Sequence, residues 1–142
     1  MNPESIFAAA NLVAVAGWLL LLLAPRNRWA SLAAGTVIPM TLATAYLLLL
    51  AVNWSGSRGG FSSLRAVAEL FSNPWLLLAG WVHYLAFDLF VGTWEVRDSL
   101  QHGVPRLLVV PCLLLTFLFG PVGFLTYQVT RRLTAVSGHS QE

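Results

Sequence analysis

The hydrophobic positions of this chain fall into long continuous runs separated by short polar segments. The runs cover about residues 6–24, 32–52, 74–96 and 107–129. A helix needs about 20 residues to cross about 30 Å of hydrocarbon, and the runs lack the alternation of barrel strands. The pattern predicts an all-α polytopic membrane protein with four transmembrane helices in a compact bundle. The bundle would form one domain over residues 1–132, followed by a polar tail over 133–142.

The segment between the second and third runs predicts a short amphipathic helix. Its apolar residues at helical spacing are Phe61, Leu64, Ala68 and Phe71. A helix of this kind lies at the membrane interface. Asn73 followed by Pro74 is typical of an N-cap and a first helical residue, so the third helix is expected to begin there.

Two prolines predict irregularities inside the apolar runs. Pro39 predicts a kink in the second helix. In the stretch FGPVGF, Pro121 predicts a break or kink in the fourth helix, because proline removes a backbone hydrogen bond and frees the carbonyl of Phe117. Gly120 and Gly123 on either side allow a close approach of neighbouring backbone.

Composition agrees with a membrane location. Hydrophobic residues make up 57% of the chain and charged residues 10%, whereas a soluble domain carries about 25% charged residues. The eight basic residues are all arginines and form no basic stripe, so a nucleic-acid partner is not expected. The single cysteine, Cys112, excludes an internal disulfide. No basic region precedes Ile6, so the first run is expected to be a retained helix and not a cleaved signal.

The arginines do not orient a bundle of four spans. Four would lie on one side of the membrane and four on the other. The first group is Arg26, Arg28, Arg97 and Arg106, and the second is Arg58, Arg65, Arg131 and Arg132. The positive-inside rule therefore gives a tie.

Ionisable residues in the third run are the main functional candidates. His83 and Asp88 fall near the centre of the span, where a lipid-facing charge costs about 2.5–3.5 kcal/mol. We expect them to face neighbouring helices or a polar cavity, either as a functional site or as a hydrogen-bonded pair that holds the bundle together. Glu95 lies nearer the end of the run, and Arg97 and Asp98 are expected to be ordinary charges of the headgroup zone.

Helical angles spread these groups over a broad arc. At 100° per residue Asp88 and Glu95 share one face, and His83 lies about 140° away from Asp88. A single-metal site from these three residues is therefore awkward, and no metal or cofactor is expected. Other polar side chains within the runs are Asn11, Thr41, Thr44, Tyr46, Thr116, Thr126, Tyr127 and Gln128. The chemistry that remains is acid–base catalysis on an apolar substrate, with Asp88 as acid and neutral His83 as base, or with the roles reversed.

A resemblance to a known family adds to this interpretation. The string HYLAFDLFVGTW from His83 to Trp94, the string FGPVG from Phe119 to Gly123, and Asn11, Trp18 and Ala24 to Arg26 resemble the plant abscisic-acid-deficient-four family. Its plant members are chloroplast membrane proteins required to make neoxanthin from violaxanthin. The resemblance implies an isomerisation in which an epoxide opens to an alcohol while a neighbouring proton leaves, giving an allene.

The resemblance also implies roles for particular residues. Asp88 and His83 would be the acid and the base, and Glu95 is a third catalytic candidate. The expected substrate-binding residues are Asn11, Tyr84, Phe87, Gly92, Trp94 and Tyr127. The chain lacks a long transit peptide, which favours a prokaryotic relative in a bacterial inner membrane whose substrate is another carotenoid or terpenoid.

Three functions stay open at this point. The first is a carotenoid isomerase, and the second is a non-catalytic carotenoid or lipid binder or an accessory subunit of a biosynthetic complex. The third is a small proton-coupled transporter, because a buried carboxylate is also what such coupling uses. The expected partners are membrane lipids, an apolar carotenoid-like molecule, and either a second copy of the chain or other carotenoid enzymes.

Overall fold

The computed structural model describes residues 2–139, with side chains described through residue 135, and this part of the chain is all helical. The helices are α1 (Pro3–Leu23), α2 (Arg28–Asn53), α3 (Leu64–Leu70), α4 (Pro74–Gln101), α5 (Arg106–Phe119) and α6 (Pro121–His139). The predicted all-α class is confirmed.

Side-chain caps and prolines set the helix ends. Asn73 Oδ1 accepts a hydrogen bond from the backbone N–H of Trp75 at 3.0 Å, and Pro74 occupies the first helical position, as predicted. In α2 the irregularity expected at Pro39 is a π-helical turn over Ala33–Val37, immediately before the proline. Extra residues inserted into a helix in this way widen one turn.

The long helix α4 lies at the centre of the bundle. Helix α1 runs parallel to it, because the Phe7 ring packs at a tilt against Trp81 near the start of both helices and Trp18 contacts Gly92 further along. The aromatic ring of Trp18 lies where a Cβ on Gly92 would stand, 2.5 Å from the nearest ring atom, so the two helices are in close contact.

Helix α2 runs antiparallel to α4. Tyr46 near the end of α2 lies 5.3 Å from His83 between ring centroids. At the opposite end of the bundle, the Arg97 guanidinium donates to the hydroxyl and the backbone carbonyl of Ser31 at 2.8 and 3.1 Å. The chain therefore passes down α1, up α2 and down α4.

By length and composition, α1, α2 and α4 are able to cross a membrane. Their outward surfaces are apolar, with large side chains such as Leu12, Leu48 and Leu77 more than half exposed. Side chains of this kind favour contact with lipid over contact with water.

The run 107–129, predicted as the fourth transmembrane helix, is divided in the structure. Helix α5 ends at Phe119, and α6 begins at Pro121, so the break predicted at this proline is confirmed. Gly120 between them has φ +48° and ψ −101°, a backbone conformation that glycine adopts far more readily than other residues.

Helices α5 and α6 are antiparallel, because the chain reverses at Gly120. A Cβ on Gly123 would lie 2.0 Å from the backbone nitrogen of Thr116. Cys112 Sγ and Thr130 Oγ1 lie 3.9 Å apart although 18 residues separate them, and a continuous helix of that length would hold them about 27 Å apart. A helical hairpin therefore replaces the single helix expected here.

A short helix, α3, is present in the segment where one was predicted. Leu70 is buried, whereas Leu64 is 86% exposed. The loop before α3 folds over its backbone, and Gly60 N–H donates to Ala66 O at 3.1 Å. Gly59 in that loop has φ +87° and lies against the backbone of Leu70. This loop contact selects which face of α3 is covered.

Candidate functional site

The site is centred on Asp88, halfway along α4, where the tip of the α5–α6 hairpin meets that helix. A Cβ on Gly120 would lie 3.0 Å from Asp88 Oδ1 and 3.3 Å from Oδ2, so the carboxyl packs closely against this glycine. Within the described part of the chain, the buried Oδ2 atom of Asp88 makes no hydrogen bond of normal length and angle, although the Tyr84 hydroxyl lies close enough to interact with the carboxyl. A buried carboxyl oxygen without a partner is costly and marks a place where a ligand group can bind.

Tyr84 lies one helical turn before Asp88 on the same face of α4. Its hydroxyl donates to the backbone carbonyl of Phe117 at 3.0 Å. This is the carbonyl that Pro121 frees, so the prediction of an available acceptor is confirmed, and Tyr84 satisfies it. The bond fixes the hairpin tip beside Asp88.

An apolar groove of about 510 Å³ leads to Tyr84 between α1, α3 and α4. Its lining includes Phe7, Phe71, Leu77, Gly80, Trp81 and Tyr84, and Glu4 also borders it. Sites for small molecules usually have volumes of about 300–1,000 Å³ and mostly apolar walls with a few polar groups. The groove therefore has the size and composition of a site for an apolar molecule.

Asn11 supports one wall of this groove. Its side-chain nitrogen donates to the Phe7 carbonyl at 2.8 Å, and its oxygen accepts from Trp81 Nε1 at 3.2 Å. Both Phe7 and Trp81 line the groove. Asn11 thus holds the Trp81 indole, one wall of the groove, through the bond to Nε1.

Glu95 lies two turns beyond Asp88, beneath the hairpin. The side chain is fully buried, and both carboxylate oxygens are within hydrogen-bond distance of the Thr116 hydroxyl, at 2.9 and 3.1 Å. Since Gly123 lies directly against Thr116, the pair forms part of the contact between α4 and the hairpin.

Asp98 is a buried ion-pair residue in the structure, which corrects the expectation of an ordinary headgroup-zone charge. It is 8% exposed and accepts a hydrogen bond from the Tyr127 hydroxyl at 2.6 Å. Arg131 Nε lies 3.2 Å from Asp98 Oδ2, and His102, one turn after Asp98, contacts both residues. The cluster fastens the returning leg of the hairpin to the end of α4.

His83 and Asp88 are not brought together. His83 is exposed and stacks on Phe87 at 4.6 Å between ring centroids, beside Tyr46 of α2. Phe87 borders a second apolar groove against α2. The expected separation of about 140° around the helix is preserved, and no loop or kink brings His83 round to the hairpin side.

The remaining predicted residues pack the helices against one another. Gly92 makes room for the ring of Trp18. Trp94 packs edge-on against Tyr127, which is fully buried. Tyr84 thus borders the groove with Asn11 nearby, Asp88 lies one helical turn beyond Tyr84, and Glu95 and Tyr127 lie deeper under the hairpin.

Sequence analysis missed the roles of Asp98 and Gly120. The spacing of Asp98 and His102, one helical turn, was a signal for the role of Asp98. Arg131 joins these two residues only because α6 runs back along α4 after the reversal at Gly120. For residues 2–135, no group of three or more His, Cys, Asp or Glu side chains is arranged to hold a metal ion.

Comparison with known proteins gives one match. The model of the family described as ABA DEFICIENT 4-like matches residues 5–127, which include every candidate residue discussed above. No curated protein and no solved structure matches the chain.

Proposed function

Because the chain belongs to the ABA DEFICIENT 4-like family, we propose that it is a membrane isomerase that opens a carotenoid or related terpenoid epoxide to an allenic alcohol. The apolar groove takes one end of the lipid-soluble substrate, and Asp88 carries the acid–base chemistry. The observation that supports this most directly is the buried Oδ2 of Asp88, which makes no hydrogen bond of normal geometry and lies one turn beyond the groove-lining Tyr84.

The reaction balances without a redox partner. A proton moves to the epoxide oxygen, one carbon–oxygen bond breaks, and a proton leaves the neighbouring carbon as the new double bond forms. A protonated carboxyl is able to perform both transfers, since its hydroxyl donates one proton while its carbonyl oxygen accepts the other. Asp88 would be regenerated at the end of each turnover.

This assignment separates Asp88 from His83. His83 lies on the α2 side of α4 with Phe87, away from the hairpin tip. Tyr84 is the nearer polar neighbour, and its hydroxyl, held on the Phe117 carbonyl, limits where an epoxide oxygen can approach Asp88. We therefore assign His83 no proton transfer in this chemistry.

The test is pigment analysis after expression in a bacterial host that accumulates violaxanthin. Wild type, Asp88→Asn and His83→Ala are compared at equal protein level. An allenic product from wild type and His83→Ala, and none from Asp88→Asn, is the expected result.

Full turnover by Asp88→Asn would overturn the assignment of Asp88. Absence of product together with unchanged pigment that co-purifies with wild type would instead favour the non-catalytic carotenoid binder. Loss of product in His83→Ala alone would favour a base on the α2 side of α4.

A further inference from the structure

The α5–α6 hairpin is too short to cross a membrane and return. Helix α5 has 14 residues, which give a length of about 21 Å at 1.5 Å per residue. The hydrocarbon core is about 30 Å thick. The hairpin tip lies against Asp88, whose position in the 28-residue helix α4 is close to the middle. The hairpin therefore reaches about half the depth of the bundle.

Both open ends of the hairpin lie at the same end of the bundle. The Arg106 guanidinium, at the start of α5, donates to the carbonyl of Leu22 near the end of α1. Arg131, on α6, binds Asp98 and His102 at the end of α4. The polypeptide thus enters and leaves on one face.

The surface and backbone of the tip suit a location inside hydrocarbon. Leu118 and Phe119 on one side of the turn are 57% and 60% exposed, and Val122 on the other is 50% exposed. Non-helical backbone at membrane depth requires cover from protein. Here the Phe117 carbonyl has the Tyr84 hydroxyl as donor, and Gly120 lies against Asp88.

We propose that α5 and α6 form a re-entrant hairpin and that the membrane face holding its two ends is the cytoplasmic face. Folding the hairpin back moves Arg131 and Arg132 to the side of the other arginine-rich segments. That face then holds Arg26, Arg28, Arg97, Arg106, Arg131 and Arg132, and the opposite face holds Arg58 and Arg65. The positive-inside rule, which gives a tie for four spans, now gives one orientation.

The orientation also determines towards which leaflet the groove opens. The groove is bordered by Glu4 at the start of α1, Phe71 after α3 and Pro74 at the start of α4, all at the end away from the arginine-rich face. It lies along the half of α4 that the hairpin does not reach. With the groove as the substrate site proposed above, the substrate enters it from the non-cytoplasmic leaflet.

The test is cysteine labelling with a membrane-impermeant maleimide in spheroplasts. In a Cys112→Ala background, single cysteines replace Ser62 before α3, Gln101 at the end of α4, or Ala135 on α6. We expect Ser62→Cys to react in intact spheroplasts. Gln101→Cys and Ala135→Cys should react only after permeabilisation, and reaction of all three in detergent controls for access.

Four full spans would place Ala135 on the side of Ser62. Labelling of both in intact spheroplasts, with Gln101→Cys protected, would overturn the hairpin. Labelling of Gln101→Cys and Ala135→Cys with Ser62→Cys protected would overturn the orientation. Green fluorescent protein fused after residue 142 gives a second measurement that needs no cysteine substitution. Its fluorescence requires a cytoplasmic location, so a full-length fusion without fluorescence would contradict the proposal.

Discussion

The contact between the two legs of the hairpin makes Gly123→Ala a sharp test of the fold. The added Cβ would lie 2.0 Å from the backbone nitrogen of Thr116 and 2.4 Å from its Cα. These are backbone atoms of a helix, so no rotamer change removes the overlap. We expect α5 and α6 to separate locally to accept the methyl group.

The size of the effect follows from two opposing contributions. Overpacking costs about 1–3 kcal/mol, and contact with rigid backbone puts this substitution at the upper end of that range. Alanine favours the helix over glycine by about 0.5–1 kcal/mol. The net destabilisation of the closed hairpin is therefore about 2 kcal/mol, which corresponds to roughly 30-fold in the equilibrium between closed and open forms.

Cys112 reports this equilibrium without any added probe. Its thiol is buried, at 1% exposure, and faces Thr130 across the contact between the two legs. The rate at which a thiol reagent modifies Cys112 in detergent micelles depends on how often the legs separate. The Gly123→Ala variant should raise that rate by roughly 30-fold, the equilibrium change that follows from the packing cost.

Gly80→Ala is the matched control. Its new Cβ would lie 3.2 Å from the ring edge of Phe71, a side chain that is able to move. The Cys112 modification rate should stay at the wild-type value in this variant. An unchanged rate in Gly123→Ala would refute the close antiparallel packing of α5 and α6.

Substitutions at three further residues test how the bundle is held together. Glu95→Ala leaves the buried Thr116 hydroxyl without its acceptor and should destabilise the protein by about 1–3 kcal/mol, whereas Glu95→Gln should keep most of the stability, as thermal unfolding in micelles would measure. Tyr127→Phe removes a hydrogen bond to the Asp98 carboxylate worth about 1.5–3 kcal/mol; an unfolding midpoint equal to that of wild type would contradict this contact. Trp18→Ala should cost about 3–5 kcal/mol through the cavity it leaves, and a midpoint within error of wild type would show that α1 is not packed on α4 there.

Local signals in the sequence predicted the start of α4 and the break at Pro121. Asn73 and Pro74 mark the start of α4 because the side chain and the ring each act on the residue or turn next to them. Pro121 marks a break for the same local reason, and the carbonyl it frees is the one that Tyr84 binds. Features of this kind need no knowledge of the rest of the fold.

The reversal at Gly120 could not be read in the same way. A continuous span and two short legs have the same hydrophobicity per residue, so the run 107–129 fits either. A proline break also permits either a kink or a full turn, and the choice depends on the contact of Gly123 with Thr116. Tyr127 late in the run was a signal for a leg that packs against other polar groups, since its hydroxyl donates to Asp98.

The carboxyl groups of α4 differ in the contacts that they make with the hairpin. Glu95 and Asp98 each accept a hydrogen bond from a hydroxyl of the hairpin, and Asp98 also forms an ion pair with Arg131. These contacts compensate for the burial of the two carboxylates and hold the hairpin against α4. Asp88 meets the hairpin at a glycine, and its carboxyl has only a weak interaction with the Tyr84 hydroxyl, which donates its hydrogen bond to the Phe117 carbonyl. A carboxyl that served only packing would gain a donor or be replaced by an apolar side chain, because an unsatisfied buried group is destabilising. The position of Asp88 at the hairpin tip, one turn beyond the groove-lining Tyr84, is the reason that the function proposed above places the substrate contact there and not at Glu95 or Asp98.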